Sequence, residues 1–158
     1  MSCYSNDIWY RSPLFWEIFF IDRLSKMFVG GGYLGNAPVK IFPFLSLQLH
    51  YNYGISWGLF QKLPFGHMLI PVAIAVILFF LARYTFERQK QCYSVTGETL
   101  LIAGGFSNFV DRLSFGPVTD FIHLHYGSYS FPIFNIADIA ISFGAIIMLY
   151  NFLLGDNE

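Results

Sequence analysis

Residues 104–138 read GGFSNFVDRLSFGPVTDFIHLHYGSYSFPIFNIAD. The stretch holds Asp111, Asp120 and Asp138, Asn108 and Asn135, His123 and His125, and Arg112, while the chain on either side is mostly apolar. Ionisable groups are costly in or beside lipid, and where they occur there they mark functional sites. At helical spacing Gly104, Asn108, Asp111 and Arg112 fall within one arc of about 100°. Gly116 and Pro117 then break the helix, and Asp120 follows in a short non-helical segment, 118–124. Asn135 and Asp138 are three apart and share one face of the next helix.

Composition sets the class. The 158 residues are 55% hydrophobic and 20% aromatic, with only 12% charged, and the mean hydropathy is +0.51. Those values fit a polytopic membrane protein and fit a soluble globule poorly. A formal net charge of -1 offers nothing to a nucleic acid. Cys3 and Cys92 have no metal spacing and are expected to be incidental. The N-terminal residues, MSCYSNDIWYRSP, lack the basic start and small-residue cleavage site of a signal peptide, so the first span is expected to be a retained anchor.

The apolar segments then fall in order. Residues 14–29 are short for a span, which needs about 20 residues, so the first span is placed at about 10–29. Asp22 and Lys26 lie at i, i+4 and can pair on one helix face; equally, they suit a helix end with a snorkelling lysine. Gly30, Gly31 and Gly32 end this helix. Gly35, Asn36 and Pro38 suggest a turn. Residues 45–53 alternate strictly, with Leu45, Leu47, Leu49, Tyr51 and Tyr53 on one face and Ser46, Gln48, His50 and Asn52 on the other, a strand pattern. His50 reads as a solvated strand residue, since no second ligand has metal spacing to it. The second span is about 66–86, with Pro71 tolerable inside lipid. Arg83, Arg88 and Lys90 follow, opposed by Glu87, and such a basic short loop faces the cytoplasm. The third span is about 98–115 and the fourth about 132–154, with Pro132 in the first turn of its helix. Asp138 then lies about 10 Å in from the helix start. The expected fold is an all-α membrane protein of one domain, 1–158. It has four transmembrane helices and a small extracytoplasmic β element at about 33–63. Both termini are cytoplasmic.

Two carboxylates brought close can share one proton, so that one activates a water while the other polarises a carbonyl. This aspartic chemistry needs no metal and no cofactor. No serine lies in a nucleophile elbow. His123 and His125, two apart, are expected to point to opposite sides of an extended chain, which argues against a metal site. The plain alternative is helix capping or ion pairing, with Asp111 in the neighbourhood of Arg112. The rival function is a non-catalytic polytopic membrane protein with Asp120 and Asp138 as an intramembrane carboxylate proton relay. Four spans without inverted repeats are few for a carrier.

Five ordered motifs resemble those of lipoprotein signal peptidases, also called signal peptidase II. They are Asp22-Arg-Leu-Ser-Lys26; Asn52-Tyr-Gly54 with Trp57 and Gly58; Asn108-Phe-Val-Asp111-Arg112; Val118-Thr-Asp120-Phe121; and Phe134-Asn135-Ile-Ala137-Asp138. The match covers about residues 14–150. The resemblance implies an aspartic endopeptidase of the bacterial inner membrane with its active site near the outer face. It implies cleavage of prolipoproteins N-terminal to a diacylglyceryl-modified cysteine. Asp120 and Asp138 become the catalytic pair. Asn108, Arg112 and Asn135 orient them and the substrate; Asn52, Gly54 and Gly104 line the cleft; and Asp22, Lys26 and Asp111 are structural. Membrane lipid is the other partner. Ser107 departs from the glycine the family usually has before the box asparagine, and Phe106 and the His123-Leu-His125 run are particular to this chain.

Overall fold

A computed structural model describes residues 12–33, 37–54 and 66–154. In chain order these form α1 (Pro13–Phe28), a kinked turn (Val29–Tyr33) where Gly32 leaves helical geometry at φ 82°, β1 (Val39–Phe42), β2 (Leu45–Asn52), α2 (Gly66–Lys90), α3 (Thr96–Ser114), β3 (Val118–Tyr126), β4 (Tyr129–Ser130) and α4 (Ile136–Leu154). Trp57, Gly58, Gly35, Asn36, Cys3 and both chain ends lie outside the described residues.

The all-α expectation is corrected: the helices carry a four-stranded antiparallel sheet in the order β1-β2-β3-β4. Only half of it comes from the region around residues 33–63. The other half, β3 and β4, comes from the segment after α3, where the sequence indicates only a short non-helical stretch, 118–124. The alternation in residues 45–53 does mark a strand, but not one with two unbroken faces. Leu45, Ser46 and Leu47 pair with Leu124, His123 and Ile122, whereas His50, Tyr51 and Asn52 pair with Asp120, Thr119 and Val118, with a register shift between. Three residues of β2 thus span two of β3, a bulge. Beyond it the even-numbered residues take over the face that Leu45 and Leu47 began, so Asn52 lies on the same face as Asp120.

Pro13 occupies the first turn of α1, where its missing N–H costs nothing. The fourth helix does not include Pro132. Phe134 pairs with β3 instead: its C=O accepts from the N–H groups of Phe121 and Ile122, and its N–H donates to the Ile122 C=O. The helix therefore begins at Ile136, in the residue after an Asn135 cap.

α3 is the hub, packed against α1, α2 and α4. A Cβ on Gly104 would lie 2.4 Å from the Ala137 C=O, and one on Gly144 would lie 2.6 Å from the Gly97 C=O. These two close approaches set the antiparallel register of α3 and α4. Phe15, Ile102 and Ala103 form a core with Phe106 packed against it, so the bulky Phe106 belongs to the α1–α3 contact.

The largest fully buried side chains are Glu98, Asn135, Thr85, Asp22, Asp111, Asp120 and Ser107, all polar, whereas Leu24, Met27, Phe79, Phe80 and Phe152 are exposed. A polar inside with an apolar outside is the inversion expected where lipid is the solvent. Among the described residues two helical segments, Leu69–Lys90 and Ile136–Leu154, are long and apolar enough to cross a membrane. α1 has 16 residues, and α3 carries Glu98, Asp111 and Arg112; neither passes the same measure.

Candidate active site

Asn135 caps α4. Its Oδ1 accepts the N–H of Asp138 at 2.9 Å, while Asp138 Oδ2 accepts the N–H of Asn135 at 3.1 Å. This reciprocal capping box satisfies two otherwise unpaired donors, and it places Asp138 in the first turn of the helix, not the second. The remaining Asp138 oxygen, Oδ1, accepts from Asn108 Nδ2 at 2.9 Å.

Asp120 projects from β3 toward the same point. Its Oδ1 accepts from Asn135 Nδ2 at 2.6 Å and its Oδ2 from Asn52 Nδ2 at 3.0 Å. Asn135 therefore touches both carboxylates, by its side chain on one and its backbone on the other. Asp120 is 1% exposed. Burial, and next the charge of Asp138, push its carboxyl up to about 6, against the donors of Asn52 and Asn135 and the charge of Lys26. Asp138 is half-buried.

Behind the pair lies an ionic layer. Lys26 Nζ donates to Asn108 Oδ1 at 2.8 Å, which turns the Nδ2 of that amide toward Asp138. Lys26 also pairs with Asp22 at 2.7 Å and Asp111 at 2.9 Å. Lys26 and Asp22 are both buried, so the snorkelling reading falls and the i, i+4 pairing stands. Asp22 Oδ1 accepts the Ala137 N–H at 2.8 Å, and its Oδ2 accepts from Ser107 Oγ at 2.6 Å.

Asp111 pairs with Arg23 as well as Lys26; its expected placement with Arg112 is corrected. Arg112 donates to the Gly54 C=O and, at 3.2 Å, to the Gly116 C=O, and its buried Nε has no hydrogen-bond partner among the described residues. Gly54 also donates its N–H to Asn52 Oδ1 at 3.0 Å, which fixes the amide that reaches Asp120. Gly104 is buried in the α3–α4 contact, one of the two close approaches described above. Sequence reasoning missed Arg23 and the bond made by Ser107. Arg23 lies three residues from Lys26 on the same helix, and a buried Asp111 needs a cation; that was the available signal.

His123 and His125 do not point apart. Residues two apart share a strand face, and the rings lie 5.2 Å centroid to centroid. His123 Nε2 is 2.7 Å from Ser130 Oγ. Among the described residues no group of three His, Cys, Asp or Glu side chains is placed to hold a metal ion.

The family model for Signal peptidase (SPase) II matches residues 14–154. This chain belongs to the signal peptidase II family. The lipoprotein signal peptidase of Wigglesworthia glossinidia brevipalpis is 37% identical over 138 residues, 85% of this chain and 88% of that one. That of Aquifex aeolicus is 39% identical over 142 residues, covering 86% and 81%. A bacterial membrane enzyme solved by the in meso method at 1.9 Å resolution superposes with a TM-score of 0.72 at 28% identity, over 91% of this chain and 92% of that chain. The described residues of the motifs quoted from the sequence converge on this one cluster, with Asn108, Asp120, Asn135 and Asp138 at its centre.

Proposed function

We propose that the chain is an aspartic endopeptidase that removes the signal peptide from diacylglyceryl-modified prolipoproteins, cutting N-terminal to the lipidated cysteine. The carrying observation is the bridge through Asn135, which bonds Asp120 with its side chain and Asp138 with its backbone. In a signal peptidase II the substrate is a lipoprotein precursor, so an apolar exterior beside the carboxylate pair suits a peptide whose neighbour is a lipid.

Asp138 is the base and Asp120 the acid. Asp138 is half-buried, open enough for water to approach, and it sits at the positive end of a helix, where a carboxylate charge is favoured. Asp120 is buried and holds its proton up to about pH 6. The water oxygen bonds to the scissile carbonyl carbon as its proton passes to Asp138. The Asp120 proton passes to the carbonyl oxygen, giving a neutral gem-diol. The diol then returns a proton to Asp120, Asp138 gives its proton to the departing nitrogen, and the C–N bond breaks. Asn108 and Asn135 hold the two carboxylates in register. Arg112 braces the site from below through its bonds to the Gly54 and Gly116 carbonyls.

All four helices cross the inner membrane in this reading, with Asp22 and Lys26 of α1 and Glu98, Asp111 and Arg112 of α3 turned inward. Both termini are cytoplasmic, and the sheet and carboxylate pair lie near the outer face. The test uses the full chain in lipid vesicles with a diacylglyceryl prolipoprotein. Wild type is expected to release a signal peptide ending immediately before the lipidated cysteine. Asp120→Asn and Asp138→Asn are each expected to abolish release at unchanged amounts of folded protein. Full cleavage by the double variant would overturn the assignment.

A further inference from the structure

Ser107 lies on α3, fully buried, and the family glycine expected there has no hydroxyl to offer. In this chain the Ser107 Oγ–H donates to Asp22 Oδ2 at 2.6 Å. Asp22 reaches across from α1 and with Oδ1 accepts the N–H of Ala137 at 2.8 Å. Ala137 is the second residue of α4, and its N–H is one of the donors that every helix start leaves unpaired. Asp22 thus caps α4 from another helix, between Asn135 and Asp138. A carboxylate at that end is also favoured by the helix dipole.

We infer that Ser107 is a positioning residue for the catalytic pair, acting through Asp22 on the first turn of α4; this rests on the aspartic reading above. The Asp22 carboxylate has two donors on Oδ2, Ser107 Oγ and Lys26 Nζ, the latter at 2.7 Å. Lys26 lies one turn along the same helix, so its pull is along α1. Ser107 is the only one of the two that pulls from α3, across the gap that Ala137 closes from α4. Without the hydroxyl the carboxylate turns toward Lys26, and the Ala137 N–H loses a short charged acceptor. The first turn of α4 carries Asp138 by its own backbone and is capped by Asn135, whose side chain touches Asp120. Any loosening there reaches both reacting carboxylates. A small residue at 107 chosen for helix packing alone would need no hydroxyl, and alanine would serve as well.

Ser107→Ala and Ser107→Gly both remove the hydroxyl from the full chain. With lipidated prolipoprotein, kcat is expected to fall about tenfold while KM stays within about twofold, the signature of a misplaced reacting group. The loss should vanish in an Asp22→Asn background, because the two act as one unit. In ¹⁵N spectra of the protein in nanodiscs, the Ala137 amide proton should move upfield in Ser107→Ala, as its carboxylate bond lengthens. An unchanged kcat, an undiminished loss in the Asp22→Asn background, or an unmoved Ala137 amide overturns the inference. If Asp22→Asn does not fold, the Ala137 resonance in Ser107→Ala decides alone. If wild type cleaves no prolipoprotein, the aspartic reading fails, and the Ala137 resonance still tells whether Ser107 governs Asp22.

Discussion

Asp120 is buried beside another carboxylate, and its proton is therefore held up to about pH 6. In the proposed chemistry the competent form has Asp120 protonated. The ratio kcat/KM, which reports the free enzyme, is expected to decline as pH rises through about 6, and to decline again at low pH as Asp138 takes up a proton. The two steps belong to the pair. Substrate covering the site adds desolvation, so the alkaline limb of kcat should lie higher than that of kcat/KM. A kcat/KM flat from about pH 5 to 9 would sink this division of labour. The same raised value has a stability consequence. The folded protein holds the Asp120 proton more tightly than the unfolded chain. The contribution is full below the ordinary value of 3.8 and is lost as pH rises through about 6. Asp111 behaves differently. It compensates two cations, Arg23 and Lys26, and removing one partner of a buried pair costs about 3–5 kcal/mol. Asp111→Asn is therefore expected to lower the yield and thermal midpoint of folded protein, where Asp120→Asn leaves the yield intact; normal Asp111→Asn yield with no activity would reverse the two roles. The Asp22–Lys26 pair was legible in the sequence because its partners are one helical turn apart. The Asp111–Arg23 pair was not, because 88 residues separate them and only the α1–α3 packing brings them together.

At the scale of elements, α3 and α4 were legible as helices from their apolar runs, and β2 from its alternation. What remained hidden was pairing. β3 was obscured by the Gly116-Pro117 break before it, and its partner β2 lies across the whole of α2 and α3. The bulge in β2 has no sequence mark, yet it decides that Asn52 meets Asp120. The start of α4 was misplaced because Pro132 is a good first-turn residue; the backbone bonds of Phe134 to β3 outweigh that preference. The α3–α4 contact makes a contrast between neighbours. A Cβ on Gly104 meets the Ala137 backbone oxygen at 2.4 Å, whereas one on Gly105 meets the end of Leu78 at 3.0 Å. Backbone cannot step aside and a leucine tip can. Gly104→Ala is expected to cost about 1–3 kcal/mol of stability and to reduce cleavage, since Ala137 adjoins Asp138. Gly105→Ala should lie within about 1 kcal/mol of wild type, helped by the better helix propensity of alanine. Thermal unfolding of both variants in one detergent checks the contrast, and equal midpoints would count against α3–α4 contact as the constraint.

For the whole molecule, the two ends differ in chemistry. One end gathers the sheet, the end of α3, the start of α4 and the carboxylate pair. The opposite end holds the α2–α3 turn, where Arg83 and Lys90 both reach Glu87 at 3.3 Å, and Arg88 pairs with the buried Glu98 at 2.8 Å. The cations of this turn are thus partly compensated, since Glu98 on the next helix faces them as well as Glu87. Orientation nonetheless follows the number of Lys and Arg residues in short loops and depends little on acidic ones. The turn should therefore still face the cytoplasm, and the antiparallel α3 and α4 then carry Asp120 and Asp138 to the outer face. Alkaline phosphatase, active only outside the cytoplasm, is expected to be inactive when fused after Lys90 and active when fused after Pro38, which precedes β1 at the sheet end. Replacing Arg83, Arg88 and Lys90 together by glutamine tests the cause. If the loop cations set the orientation, the Lys90 fusion should gain activity in that variant. Activity after Lys90 in the otherwise unaltered chain would instead put the carboxylate pair on the cytoplasmic side, where a peptidase acting on exported precursors could not meet its substrate.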